Sequence, residues 1–341
     1  MFIQETVSLQ TYSTMQLGGN AAYVAEVSER SDIPELVDWA VERKLPIIMI
    51  GSGSNIVWRD EGFDGLVLVN KIMQFETQEN EDFLYVTVGA GENWDDVVRR
   101  TVELGYDGIA ELSLIPGTAG GTPIQNVGAY GREISEVLIS VEAFDLKTME
   151  YLNIPAMDCG FSYRSSRFKT TDRDRFLITK ISFQLTKQLP KPPFYDALNT
   201  YFDKNNVIKP TVQNVRDAVI AIRTAKLPDP ADIANNGSFF GNPIVAENLL
   251  AQLLSNYPML RYWRNSDGTV KLSAAWLIEQ AGFKDYHDSE TGMATWSTQP
   301  LVLVNEQAKT TADLLTFKQK IVDKVHQKFG VELTQEPELL P

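Results

Sequence analysis

Ile115-Pro116-Gly117-Thr118-Ala119-Gly120-Gly121-Thr122-Pro123-Ile124-Gln125-Asn126-Val127-Gly128-Ala129-Tyr130-Gly131 holds five glycines and two prolines in seventeen positions and carries no charge. Flexible linkers have few apolar side chains, whereas here Ile115, Ile124, Val127 and Tyr130 interleave with glycines that permit positive φ and close approach of backbone to a ligand. A run of free N–H groups in such a loop forms an anion-binding nest without any net positive charge. A tight loop packing on itself and a ligand cradle both account for this composition.

A second glycine loop lies upstream. Gly51-Ser52-Gly53-Ser54-Asn55 follows an apolar run from Leu45 to Ile50, and Ile56 stands where a Rossmann fingerprint would have its third glycine. Alone it reads as a polar turn after a strand. Two glycine loops in separate units are suited to hold a dinucleotide between them.

Around the loops the pattern alternates helix and strand. Ile33, Leu36, Val37, Ala40 and Val41 keep helical spacing after Ser31-Asp32, with Pro34 in the first turn, and strands are predicted over Leu45 to Ile50 and Leu66 to Val69. Leu84, Val86 and Val88 alternate as a strand; a helix from Trp94 to Leu104 stops at Gly105; further strands lie near Val137 to Phe144 and Phe176 to Leu185. After Leu189-Pro190-Lys191-Pro192-Pro193 comes a helix carrying Val212, Val215, Val219 and Ile222, and Leu227-Pro228-Asp229-Pro230 then marks a boundary. Helices are predicted beyond it at Ala246 to Leu254, Ser273 to Ala281 and Thr311 to Phe329.

Composition limits the function classes. With 31 basic and 45 acidic residues the net charge is −14, so no broad cationic surface exists for nucleic acid or an anionic membrane. One cysteine, Cys159, and two histidines, His287 and His326, exclude an internal disulfide and leave too few ligands for a four-ligand zinc site. A Ser-His-Asp hydrolase is hard to build from them, and no metal is expected. The start Met1-Phe2-Ile3-Gln4-Glu5 does not read as a secretory signal, and the charge-free run of 20 residues from Leu112 to Gly131 is too rich in glycine and proline to span a bilayer. The expectation is a cytoplasmic protein.

Three segments stand out as candidate chemistry. Phe161-Ser162-Tyr163-Arg164-Ser165-Ser166-Arg167-Phe168 interleaves cations with aromatic and hydroxyl groups that suit a planar anion; Cys159 beside it reads as a small buried residue rather than a nucleophile. Asn235-Asn236-Gly237-Ser238-Phe239-Phe240-Gly241-Asn242-Pro243 is a polar turn around an aromatic pair, in which Ser238 is either a positioned hydroxyl or part of a capped loop. Glu338, three residues before the last, is by default a frayed carboxylate.

Taken together, these segments closely resemble the UDP-N-acetylenolpyruvoylglucosamine reductase family, over nearly the whole chain. The resemblance is carried by Ile50-Gly51-Ser52-Gly53-Ser54-Asn55, Ile115 through Gly131, Phe161-Ser162-Tyr163-Arg164, Lys226-Leu227-Pro228-Asp229-Pro230, Gly237-Ser238-Phe239-Phe240 with Asn242-Pro243, and Lys271-Leu272, in the family's order. An insertion around Tyr195 is similar to the longer, type I class, in which a tyrosine-bearing loop closes over the substrate. Two departures are Gly241, where members often have a basic residue, and Leu339-Leu340 after Glu338, where they usually continue Val-Arg.

The resemblance implies an α+β fold, the FAD-binding fold of the vanillyl-alcohol-oxidase (PCMH-like) type. Its domains would be 1–70 and 71–226 plus 331–341 for FAD, and 227–330 for substrate. It implies noncovalent FAD held by both loops, through Gly51, Ser52, Gly53, Ser54, Asn55, Pro116, Gly117, Thr118, Gly120, Gly121, Gln125, Asn126, Gly128, Ala129 and Tyr130. It also implies NADPH as hydride donor, and reduction of UDP-N-acetylglucosamine enolpyruvate to UDP-N-acetylmuramate for peptidoglycan. The expected partners are these small molecules alone, with the chain a monomer. Another FAD-dependent oxidase or dehydrogenase of the same fold is the alternative. Arg164, Ser238 and Glu338 fall on the family's catalytic positions, and Tyr163, Tyr195, Lys226, Asn242 and Lys271 are expected at the substrate. Hydride added to an enolpyruvyl ether drives negative charge toward its carboxylate, so a fixed guanidinium, a neutral carboxylic acid and a hydroxyl that protonates carbon make chemical sense there.

Overall fold

In the computed structural model, which describes residues 2–265 and 267–341, helix Ile33–Glu42 follows the predicted spacing and buries Ile33, Leu36, Val37 and Ala40. Met1 and Ser266 lie outside the described residues. The chain gathers into two units. One holds residues up to Val7, Ala21–Ser52 and Phe63–Ala225; the other holds Ser8–Asn20, Gly53–Gly62 and Lys226–Pro341.

In the first unit, strands run in the order Ile3–Ser8, Asn20–Val27, Phe63–Asn70, Ile47–Ile50, the last three parallel to one another. Parallel strands need both faces covered, and every residue from Gly65 to Asn70 is buried. A second, antiparallel sheet has the order Glu150–Pro155, Leu138–Asp145, Phe176–Thr186, Phe83–Gly89, Phe75–Glu79. Leu84, Val86 and Val88 point inward as their alternation predicts. Helix Trp94–Glu103 starts at Asn93, whose Oδ1 accepts from the Asp96 N–H at 3.0 Å, and Leu104 becomes its C-terminal cap. Helix Val212–Lys226 is tied to it by Arg216, 6% exposed, which grips both Asp95 oxygens at 2.6 and 2.9 Å.

The second unit has a sheet in the order Asn235–Ser238, Gln299–Asn305, Met293–Trp296, His287–Asp288, a three-stranded sheet around Val270–Leu272, and helices Glu247–Asn256, Ala274–Gln280 and Thr311–Phe329. The long helix opens with a Thr310/Asp313 capping box, closes at Gly330 with φ 65°, and buries Leu314, Phe317, Ile321, Val325 and Phe329 on one side. Replacing a fully buried phenylalanine such as Phe317 by alanine costs about 3–5 kcal/mol.

The first seventy residues do not stay together as a single α/β stretch. Met15, Leu17 and Val57 are buried in the core of the second unit with Phe239, Phe240 and Phe317, so their segments belong there. Residues 331–341 also group with 226–330. No helix among the described residues is long and apolar enough to cross a membrane.

Candidate active site

In the first unit the two glycine loops meet. A side chain at Gly51 would place its Cβ 2.2 Å from the Thr118 hydroxyl, so only glycine lets these backbones lie together. The longer loop is ordered by its own packing: Ala119, Thr122 and Asn126 are buried, and Ser166 Oγ donates to the Ile124 carbonyl at 2.7 Å. Asn126 is spent on bracing. At φ 48°, its amide donates to Glu133 Oε2 at 2.6 Å and to the Ser162 carbonyl at 3.3 Å, and its oxygen accepts from the Ser135 N–H. By contrast, the backbone N–H groups of Ser52, Gly117 and Thr118 meet no protein acceptor among the described residues, and nothing lies within 4 Å of a Cβ built at Gly121. Open N–H donors on closely packed glycine loops fit a diphosphate.

Arg164 stands on the loop that Asn126 holds. Ser162 and Ser165 exchange backbone bonds at 3.1 Å, which forces Arg164 to φ 52°, and its Nη2 donates to the Gly128 carbonyl while the guanidinium lies 5.1 Å from the Tyr163 ring centroid. Gly128, Tyr163 and Arg164 are thereby brought together. Tyr130, at φ 50°, meets Tyr195 edge-on with ring centroids 5.8 Å apart. Arg223 hydrogen-bonds to Tyr130 and donates through Nε to the Leu114 carbonyl at 3.2 Å, so one guanidinium holds both ends of the long glycine loop. Burial raises the Tyr130 hydroxyl above its ordinary pKa, against the pull of Arg223. Cys159 is buried and its thiol is pushed up to about 11 by burial, which leaves it without nucleophilic character.

In the second unit, Ser238 closes the strand Asn235–Ser238. Asn235 pairs with Val304 and Ser238 with Val302, so one extra residue is accommodated between them and the strand is bent at Gly237, φ 68°. Phe239 and Phe240, 5.4 Å apart and fully buried, anchor the turn, and Phe239 donates to the Leu301 carbonyl at 2.8 Å. The strand Glu338–Leu340 pairs in parallel with Ile56–Trp58, matching Glu338 to Ile56. Asn242 Oδ1 accepts from the Ala274 N–H at 3.0 Å, at the start of helix Ala274–Gln280, and Lys271 lies opposite Trp263 with Nζ 5.8 Å from its ring centroid. Partial burial and the Arg261 guanidinium hold the Lys226 ammonium below the usual lysine range. Among the described residues no group of three or more His, Cys, Asp or Glu side chains is placed to hold a metal ion.

Residues 21–150 match the FAD binding domain family, and residues 229–340 match the C-terminal domain of UDP-N-acetylenolpyruvoylglucosamine reductase. The UDP-N-acetylenolpyruvoylglucosamine reductase of Cupriavidus pinatubonensis is 39% identical over 98% of this chain and 98% of its own length. That of Pseudomonas putida is 38% identical over 98% of each. The chain belongs to the UDP-N-acetylenolpyruvoylglucosamine reductase family. The crystal structure of UDP-N-acetylenolpyruvylglucosamine reductase from Thermus caldophilus superposes over 100% of both chains with a TM-score of 0.68 at 22% identity, which establishes a shared fold. The fold of this reductase-family chain is an α+β fold that carries an FAD-binding domain.

Of the sequence-derived residues, Gly51, Ser52, the whole loop from Pro116 to Tyr130, Tyr163, Arg164 and Tyr195 fall in the first unit. Gly53, Ser54, Asn55, Lys226, Ser238, Asn242, Lys271 and Glu338 fall in the second. Sequence reasoning passed over Arg223, Asn236 and Arg261. Only Arg223 left a signal, three residues before Lys226 on one helix face.

Proposed function

We propose that this protein catalyses the NADPH-dependent reduction of UDP-N-acetylglucosamine enolpyruvate to UDP-N-acetylmuramate, in peptidoglycan precursor synthesis. It acts as a cytoplasmic monomer on small molecules alone. Residues 227–330 serve the UDP-sugar. FAD would be held by the open N–H groups at Ser52, Gly117 and Thr118 and by the glycine loops around them, and when bound it supplies the two-electron redox chemistry.

The chain's own groups do the rest. Arg164, with its guanidinium fixed by Gly128 and a tight turn, presents a planar cation to the enolpyruvyl carboxylate, where negative charge grows as hydride arrives at the outer carbon. Glu338 in its neutral form donates a hydrogen bond to the enolate oxygen, its proton retained because a second carboxylate lies close by in the complex. The Ser238 hydroxyl then gives its proton to the substrate carbon. Lys226 and Lys271 neutralise the diphosphate, and Tyr163, Tyr195 and Asn242 orient the substrate.

The observation that carries this proposal is the common footing of Ser238 and Glu338. The Glu338 strand lies along Ile56–Trp58, and the strand of Ser238 is fastened to the same stretch through Asn236, whose amide donates to the Ile56 carbonyl at 3.2 Å. A serine and a carboxylate presented from one glycine loop suit a site in which both act on one substrate.

The deciding experiment is an anaerobic titration of the purified yellow protein, first with NADPH and then with enolpyruvyl-UDP-N-acetylglucosamine. Bleaching of the visible absorbance followed by its return, with UDP-N-acetylmuramate as product, is expected. A protein that cannot be reconstituted with FAD, or whose absorbance does not return with this substrate, overturns the proposal.

A further inference from the structure

Beside the hairpin that ends the long glycine loop, the first unit buries two carboxylates next to one guanidinium. Asp107 is 5% exposed and Glu111 4%. Each keeps one oxygen, Asp107 Oδ1 and Glu111 Oε2, covered and without a hydrogen-bond partner among the described residues. The cation that acts on both is Arg132, whose Nε lies 3.5 Å from Glu111 Oε1 while its Nη1 makes the shorter contact, 3.1 Å, to the more exposed Glu136. Other charges nearby are engaged elsewhere. Tyr106 and Lys187 bind Glu79, and Glu133 takes the Asn126 amide. On helix Trp94–Glu103, which packs against Ala110–Leu112, Asp95 is held by Arg216, Arg100 by Glu92, and Arg99 by Asp96 and Glu103.

One guanidinium shared with a third carboxylate cannot balance two buried ones, and an ionised oxygen covered without a donor costs far more than a neutral one. Burial raises the carboxyl pKa of both residues, and at Glu111 the neighbouring Asp107 adds to it, against the pull of Arg132. An open crevice of about 390 Å³, lined in part by Asp107, Arg132, Glu136, Gln184 and Thr186, gives the cluster a route to solvent protons.

The cluster reaches Arg164 through the hairpin backbone. Ala129 pairs with Arg132 and Gly128 with Glu133. A Cβ built at Gly128 would lie 2.7 Å from the Arg132 carbonyl oxygen and 3.1 Å from Arg164 Nη1, and the Gly128 carbonyl accepts from Arg164 Nη2. Arg132 and Arg164 therefore meet at the same glycine, with no slack between them.

We infer that Asp107 and Glu111 hold one proton between them at neutral pH, and that its loss draws Arg132 inward and shifts the hairpin that fixes Arg164. The pair is a pH-sensitive device beside the glycine loop, titrating as a unit. Its coupling to turnover rests on the proposed role of Arg164, whereas the retained proton does not.

The test is urea unfolding of the FAD-loaded full chain between pH ~5 and ~9, above the ~4 at which unfolded carboxyl groups titrate. In that range the folded pair keeps a proton that the unfolded chain has released, so the wild-type midpoint falls as pH rises through the folded pKa and then levels. Glu111→Gln and Asp107→Asn each put a neutral isostere in place of one acid and leave Arg132 to the other. The expected result is a midpoint at pH ~8 equal to or above that of wild type, with a flatter fall. An ordinary ion pair gives the reverse, a lower midpoint across the whole range. That result overturns the inference. Failure of both variants to fold overturns it also, because a neutral group is what the pair already contains. A second arm reads kcat/KM for enolpyruvyl-UDP-N-acetylglucosamine against pH. In Glu111→Gln the alkaline fall should move to higher pH or vanish. Identical profiles alongside a stability difference overturn the coupling to Arg164. Wild-type protein without turnover of this substrate instead overturns the proposed function, and the unfolding arm still decides the proton.

Discussion

The backbone N–H of Glu338 donates to the carbonyl oxygen of Asn55 at 2.9 Å. Parallel pairing continues from that bond through Leu339 and Val57 to Leu340 and Trp58, and the Arg59 N–H closes onto the Leu340 carbonyl at 3.0 Å. Leu340 is 4% exposed. The last residues of the sequence therefore form a paired strand whose position is set by the glycine loop, and the carboxylate of Glu338 is not on a frayed end.

This separates two experiments at the C-terminus. Deleting residues 337–341 removes a buried leucine and a strand together, so it should lower both the melting temperature and turnover. Glu338→Gln keeps the strand and the volume and removes only the acid. Turnover in Glu338→Gln should fall by about 10²-fold or more, with FAD content and melting temperature unchanged. Wild-type turnover in that variant would release Glu338 from the mechanism and leave the strand a purely structural element.

Arg164→Lys should cost more than its conserved charge suggests. The planar guanidinium donates to the Gly128 carbonyl and offers several N–H groups in a fixed fork, a geometry that an ammonium does not reproduce. The expected loss is roughly 2–4 kcal/mol of transition-state stabilisation, the scale for one preorganised donor. Steady-state kcat/KM measures it. An unchanged value would reassign Arg164 to bracing the glycine loop.

Much of this was legible in the sequence because it was local. Helix Ile33–Glu42, the inward alternation of Leu84, Val86 and Val88, and the Gly330 stop follow from period and capping chemistry within a dozen residues. What stayed hidden depends on contacts between distant segments. Short apolar stretches around Met15 and Val57 do not announce which core they join, and the Glu338 strand has only three residues, too few for a period to show. Asn236 was passed over for the same reason: its amide partners are some 180 or more residues away in sequence.

The pH dependence of folding should have an acid limb traceable to Asp145. This fully buried carboxylate accepts from Arg175 Nε at 2.9 Å and Nη2 at 2.7 Å, and Arg175 holds its pKa down to about 2. An unfolded aspartate titrates near ~3.9, so the pair's contribution is complete above that value and is lost as pH falls through the folded pKa. The difference corresponds to about 2–3 kcal/mol. In Arg175→Met the carboxylate stays buried without its cation, which reverses its preference and flattens the slope below pH ~4. Urea unfolding of both proteins between pH ~2 and ~5 tests this. Identical slopes would place the acid sensitivity elsewhere.

Ser238→Ala separates the two halves of the proposed reaction. Reduction by NADPH needs no carbon acid, so the visible absorbance of the FAD-loaded variant should bleach at close to the wild-type rate. Its return with the enolpyruvyl substrate needs a proton delivered to carbon, a contribution of ~10²–10⁴-fold from a positioned acid. The return should therefore slow by at least the lower of these factors. The fold should tolerate the change, because the turn is held by the buried Phe239 and Phe240 and by the Phe239 N–H on the Leu301 carbonyl, none of which involves the hydroxyl. FAD content is measured first, so that a binding defect is not mistaken for a chemical one. If stopped-flow absorbance shows the variant returning as fast as wild type, Ser238 is only part of a polar turn. If the defect is instead confined to bleaching, Ser238 serves the nicotinamide step and another group protonates carbon.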